Sequence, residues 1–329
     1  MKYFVTGATG FVGGYLVRRL VNDGHEVVAL VRNPASAKPL VDIGITIAKG
    51  DITDKDSMRE PMTGVDGVFH VAAWYKVGMK DSSIAQTINV EGTRNVLELM
   101  KELSIPKGVY TSTVAVFSDT KGEIKDENYK FVGKHISEYD RTKWEAHYLV
   151  AQPMIDAGLP LVIVMPGAVY GPGDQSGLRD VVVQYLQGKL PMSPGGMAVC
   201  WARVEDTVEG HILAMEKGKI GESYIIAGPP HKLTDYFALA EQITRIPAPR
   251  VQMPPAVLKA SAALMGVIGK AITLPSTYTA EGLRVSAGVT YLGDNSKAKR
   301  ELGYNPRSLA DGLPETLAYE MEQLGMHPK

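Results

Sequence analysis

Short apolar runs alternate with helix-period segments through the first half of this chain. Residues 3–5 (Tyr-Phe-Val) read as a buried strand that breaks into glycines and resumes as Leu16, Val17, Leu20 and Val21 at helical spacing. Further strands are predicted at 26–31, 45–48, 67–71, 108–112 and 161–165. Between them, Asp54 is placed to cap a short helix. A long amphipathic helix over 82–103 is predicted to turn Ile84, Ile88, Val96, Leu97 and Met100 inward, and another helix spans 139–157. Strands alternating with helices in this way predict βαβ units, and hence a parallel sheet covered on both faces.

The pattern changes after 166–174 (Pro-Gly-Ala-Val-Tyr-Gly-Pro-Gly-Asp). Shorter elements follow, separated by Gly and Pro clusters at 191–196, 228–230 and 247–255. The expected architecture is therefore α/β: a Rossmann-type doubly wound parallel sheet over 1–170, with a smaller substrate-binding cap over the C-terminal edge of the sheet. The cap is drawn mainly from 171–329, with some segments returning to the first domain. Strands are expected near 200–204 and 223–226, and Asp206 is expected to cap the helix that runs to Lys217. In 251–272, Met253, Leu258, Leu264, Met265, Val267 and Ile268 gather with few charges. Most of that stripe is expected in the core, with part free to face a ligand.

Charge is balanced, 35 basic against 36 acidic residues, which argues against a nucleic-acid or anionic-membrane partner. The single cysteine, Cys200, fits a reducing compartment. A strand beginning at residue 2 leaves no room for a signal peptide, and no apolar stretch reaches the ~18–20 residues of a membrane span. The richest stretch, 257–272, is broken by Lys259, Ser261 and Lys270. A cytoplasmic location is the expectation. The seven histidines show no paired ligand spacing, so no metal is expected, and His70 reads as a core or cofactor-wall residue.

Chemistry enters at the first turn. Strand, G-x-x-G-x-x-G, helix is the build of a phosphate cradle: Gly7 for the tight turn, Gly10 for close approach of a pyrophosphate, Gly13 for helix packing. Its cofactor-contacting positions are Gly7, Thr9, Gly10, Phe11 and Val12. An NAD site usually ends its second strand in a carboxylate; here Arg32 stands there, with no acid between Glu26 and Asp42. A guanidinium suits a 2′-phosphate, so NADP(H) is favoured over NAD. Tyr139 and Lys143 lie at i and i+4, one helical turn apart, where an ammonium favours the phenolate and can draw the phenol toward working pH. Thr111, Ser112 and Thr113 put hydroxyls at the end of a central strand.

In this order and on these elements, the cradle, Asp51-Ile52, His70-Val71-Ala72-Ala73, Asn89-Val90-Glu91-Gly92-Thr93, Tyr139/Lys143 and 166–173 resemble the extended short-chain dehydrogenase/reductase family across nearly the whole chain. Val31-Arg32-Asn33-Pro34, 109–116 and Tyr304-Asn305-Pro306 look most like its dihydroflavonol-4-reductase-like branch, which also holds NAD-dependent epimerase/dehydratases. The resemblance implies that Asp51 and Ile52 flank the adenine, that Ala72 and Ala73 line the cofactor path, and that backbone from Pro166 to Val169 holds the carboxamide side. It implies Tyr139 as proton donor and acceptor, Lys143 on the nicotinamide ribose, and Thr113 as the third catalytic residue, with Ser112 its rival. The implied activity is hydride transfer to or from a carbonyl or secondary alcohol of a small, largely apolar molecule. A nucleotide-sugar epimerase or dehydratase with the same triad is the alternative, and a non-catalytic NADP sensor a remoter one. A homodimer paired through the 82–103 and 139–157 helices is the family expectation.

Overall fold

The computed structural model describes residues 1–78, 81–269, 272 and 278–326. Six strands follow the apolar runs: β1 (Lys2–Thr6), β2 (Glu26–Val31), β3 (Thr46–Lys49), β4 (Gly67–His70), β5 (Gly108–Thr111) and β6 (Leu161–Pro166). The chain then forms β7 (Ala168–Tyr170), β8 (Met192–Pro194), β9 (Ala198–Arg203), β10 (Ser223–Ile226), β11 (Pro230–Lys232), β12 (Val251–Met253) and β13 (Thr290–Tyr291). The first six join β10 in a parallel sheet of order β10-β6-β5-β4-β1-β2-β3. Strand order reverses between β1 and β4, which opens a crevice at their C-terminal ends.

Both faces of this sheet are covered, so its strands read as continuous apolar runs; β6 is buried at every position. On one face, the helix Phe11–Asn22 buries Leu16, Val17 and Leu20 beside Val208 and Ile212 of the helix Val204–Lys217. On the other, helices over 83–102 and 138–156 bury Val96, Leu97, Met100, Ala146 and Val150. Both of these helices widen mid-course into a π-helical stretch, Gln86–Gly92 and Ala146–Ala151. Beyond residue 170 the chain divides. The helices Val204–Lys217 and Ser296–Leu302 pack with the large sheet. The smaller sheet, β7, β11 and β13 around β9, carries its own core of Tyr185, Trp201, Tyr236, Phe237, Leu313 and Leu317. β8 and β12 form a separate parallel pair.

Several expectations need correction. Ile84 is exposed, because it precedes the wide turn at Gln86–Gly92, which adds residues per turn and rotates the inward face. Asp206 does not cap its helix. The helix starts at Val204, so Asp206 lies in the first turn, where its carboxylate accepts from Arg307 N (2.9 Å) and Arg307 Nε (2.9 Å). Of the six apolar residues singled out in 251–272, only Leu258 is buried; Leu264 and Val267 are exposed. Lys270 and residue 271 of that stripe lie outside the described residues. Among the described residues no helix is long and apolar enough to cross a membrane.

Candidate active site

β1 ends at Thr6 and the chain turns at Gly7 with φ +77°. A Cβ there would lie 2.7 Å from Ala72 N, and one on Gly13 would lie 2.1 Å from Gly7 O. Glycine is required at both because backbone meets backbone. The following helix begins at Phe11 with Gly10 as its N-cap and no side-chain cap, so its first-turn N–H groups and positive dipole are left for an anion. Thr9 and Gly10 are exposed, Phe11 and Val12 half-buried. This arrangement fits the diphosphate of a dinucleotide.

Arg32 is exposed immediately beyond β2, beside Asn33, whose Oδ1 accepts from Ala35 N at 3.1 Å and fixes the turn Pro34–Ala37. Asp51 is half-buried and its Oδ1 accepts from Thr53 N and Oγ1, each at 2.9 Å. Ile52 is buried against Gly92, where a Cβ would come within 2.6 Å of Ile52 Cδ1. Ala72 and Ala73 line the chain leaving β4, Pro166 ends β6, and Val169 sits half-buried in β7.

Ser137 caps the helix that carries Tyr139 and Lys143; its Oγ accepts from Asp140 N at 3.0 Å. Thr113, just past β5, stands beside the Tyr139 phenol, accepts from Ala115 N at 3.1 Å and lies 3.5 Å from Pro166 O. Ser112 faces the other way, its Oγ 2.8 Å from His147 Nδ1 in the core. Of the two hydroxyl candidates, Thr113 is the one beside Tyr139. Lys143 donates to Thr111 O at 2.7 Å and to Tyr110 Oη at 3.1 Å, and burial draws its ammonium down to about 7. Burial also pushes the Tyr139 phenol up to about 12, against the downward pull of Thr113 and together with the nearby Asp140 charge. The expected draw toward neutrality is therefore not found in the free protein: desolvation outweighs it.

Three further residues shape the site. Asn89 accepts from Trp74 N (2.7 Å) and donates to Trp74 O and Thr142 Oγ1 (2.9 Å each), tying the segment after β4 to the Tyr139 helix. Glu281 accepts from Glu138 N at 2.5 Å and from Gly78 N at 2.6 Å, clamping the same two segments from the cap. Asp140 is buried and raised to about 7, by burial first, although Ser137 Oγ (2.7 Å) and Tyr291 Oη (3.0 Å) donate to it. Asn89 stood out within its motif; Glu281 and Tyr291 carry no local signal, because their partners lie far away in sequence.

Residues 3–227 match the family described as NAD dependent epimerase/dehydratase. A Synechocystis sp. protein provisionally named dihydroflavonol 4-reductase is 32% identical over 96% of this chain and 93% of its own length. The crystal structure of gox2253 superposes with a TM-score of 0.83, at 31% identity and 99% coverage of both chains. A UDP-glucose 4-epimerase from Thermotoga maritima shares the fold, with a TM-score of 0.79, 22% identity, and coverage of 98% of this chain and 100% of that one.

Proposed function

The chain belongs to the NAD dependent epimerase/dehydratase family, the extended short-chain dehydrogenase/reductases, and from that premise we propose that it is an NADP(H)-dependent reductase or dehydrogenase of a small, largely apolar carbonyl compound. The observation that carries this reading is the convergence of Tyr139, Thr113 and Lys143 at the C-terminal end of β5. A bound nicotinamide dinucleotide supplies or accepts the hydride. Tyr139 holds the proton on Oη and gives it to the substrate oxygen, or takes it back in the reverse direction. Thr113 hydrogen-bonds that oxygen and keeps the phenol aimed. Lys143 has two N–H groups engaged by Thr111 O and Tyr110 Oη, which leaves one to hold the nicotinamide ribose.

Arg32 supports the NADP(H) half of the proposal. A guanidinium–phosphate contact contributes about 1.5–3 kcal/mol, so a preference of about tenfold or more is expected. Fluorescence titration of NADPH and NADH measures it, and Arg32→Ala should weaken NADPH binding while leaving NADH almost unchanged. Equal affinities in the unaltered protein would remove the assignment.

The apolar substrate is favoured over a nucleotide sugar by where two of the cap arginines, Arg179 and Arg203, go. Arg179 pairs with Glu320 at 3.0 Å, and Arg203 is buried between Glu205 and Glu315. A diphosphate needs convergent free cations, and these two are already neutralised. A thermal-shift panel with NADP⁺ present, comparing UDP-sugars with flavonoid, steroid and simple aromatic carbonyls, decides between the readings. Stabilisation confined to UDP-sugars would promote the epimerase alternative. Exposed Ile84 and Leu149 on the 83–102 and 138–156 helices support pairing of two copies there, and light scattering reads that directly.

A further inference from the structure

Thr6, His70 and Tyr110 are Cα partners on one rung of the large sheet, across β1, β4 and β5. The rung before it, Val5-Phe69-Val109, is apolar and fully buried. All three polar side chains are also buried, which is unfavourable unless each polar atom is paired. Their partners follow one another across the rung. Thr6 Oγ1 lies 2.8 Å from His70 Nδ1, and His70 Nε2 lies 3.0 Å from Thr93 Oγ1. Thr93 stands beside the Tyr110 phenol, and Tyr110 Oη meets Lys143 Nζ at 3.1 Å.

Counting lone pairs gives this chain a direction. Thr6 Oγ1 accepts from two backbone donors, Val71 N at 3.2 Å and Ala72 N at 3.1 Å, which fills both lone pairs. Its own hydrogen must therefore go to His70 Nδ1. The imidazole proton is then on Nε2 and points at Thr93, whose hydroxyl stands beside the Tyr110 phenol. Tyr110 Oη keeps one lone pair for the Lys143 ammonium, and its own hydrogen is available when Lys143 is a free amine. The contact at 3.1 Å thus survives either protonation state of the lysine.

From this geometry we propose that His70, Thr93 and Tyr110 are positioning residues, which hold Lys143 in place and favour its charged form through a one-way hydrogen-bond chain that starts at the rim of the glycine cradle. The inference rests on the reading of Lys143 as the residue that holds the cofactor. It gives a reason for a buried polar rung that apolar side chains could otherwise fill at little or no loss of stability. The titratable groups facing Lys143 are Tyr110 from β5, His70 from β4, and Tyr139 and His147 from its own helix. None of them is an acid at neutral pH, so the Tyr110 oxygen and Thr111 O are what favour the ammonium.

Nitrogen NMR of histidine-labelled free protein should show His70 neutral with the proton on Nε2 from about pH 5 to about pH 9. The opposite tautomer, or an imidazolium in that range, would overturn the ordering. NMR titration of labelled lysines should then find the Lys143 midpoint lowered by about one pH unit in Tyr110→Phe, because a charge-assisted bond to the ammonium is lost. NADPH affinity should fall severalfold in the same variant, more at pH 8 than at pH 6. An unchanged midpoint and unchanged affinity, with only a lower Tm, would reduce the chain to a structural one. Should Tyr110→Phe fail to fold, Thr93→Val cuts the chain at constant volume and is read in the same way. His70→Gln, which retains a donor for Thr93, should keep more NADPH affinity than His70→Leu. Failure of the underlying reading looks different: Lys143→Ala would leave NADPH binding intact while the tautomer and titration results stood.

Discussion

In the cofactor half of the site, constraint is backbone against backbone: Gly7 against Ala72, Gly13 against Gly7, and the strand ends of β1, β4 and β5 in one register. In the cap half, apart from β9, the strands outside the large sheet are two or three residues long. The helix Pro255–Ile268 there buries only Leu258 and Ala262, and Leu264 and Val267 are 57% and 68% exposed. A side chain that meets a side chain can repack when changed; a Cβ that meets a carbonyl cannot. One half of this molecule is therefore fixed by geometry, and the other is free to vary.

The comparison breaks most easily at Gly13. Gly13→Ala should destabilise the protein by more than about 3 kcal/mol, since neither the helix nor the turn can yield without moving the strand. Near-normal stability by denaturant unfolding, with cofactor binding retained, would show the cradle to be softer than its contacts indicate. Next in size is Tyr139→Phe, expected to lower kcat by about 10²–10⁴-fold with folding and NADPH binding preserved. Steady-state kinetics on any substrate found by the ligand panel checks it.

Asp140 gives a pH test at the boundary of the two halves, since its partners come from its own helix and from β13. Its carboxyl is raised in the folded protein, so its stabilising contribution is complete below the ordinary pKa of 3.8 and is lost as pH rises through about 7. Asp140→Asn should therefore compare better with the unaltered protein at pH 8 than at pH 5. A Tm difference that does not change with pH would contradict the assignment. The smallest effect is expected on the cap surface: Leu264→Gln should alter stability by no more than about 0.5 kcal/mol, while KM for an apolar substrate reports whether that face meets ligand.

The same contrast decides what could be read from the sequence. Strands β1 to β6 were visible because each is an apolar run ended by turn chemistry, and the cradle, Arg32, Tyr139 and Lys143 are local patterns on those elements. β7, β8, β11, β12 and β13 were not, because two or three residues carry no periodicity. Ile84 was misplaced by a wide helical turn that no residue type announces, and Asp206 by a helix that begins three residues earlier than its capping chemistry implies. The rung of Thr6, His70 and Tyr110 had a faint signal, a polar residue at or near the end of three of the apolar runs. Which of those polar groups meet one another is set by strand order, and that appears only in three dimensions.

The position of β10 bears on how the protein is made. Ser223–Ile226 completes the large sheet beside β6, yet a ribosome delivers it seconds after β6, at ordinary elongation rates. During that interval Leu-Val-Ile-Val-Met-Pro stands as an uncharged open edge, the type of segment that recruits strands from neighbouring nascent chains. A gene truncated at residue 170 should accordingly give inclusion bodies instead of a portable dinucleotide-binding module. The yield of the intact protein should depend on how well chaperones shield β6 until residue 226 has emerged.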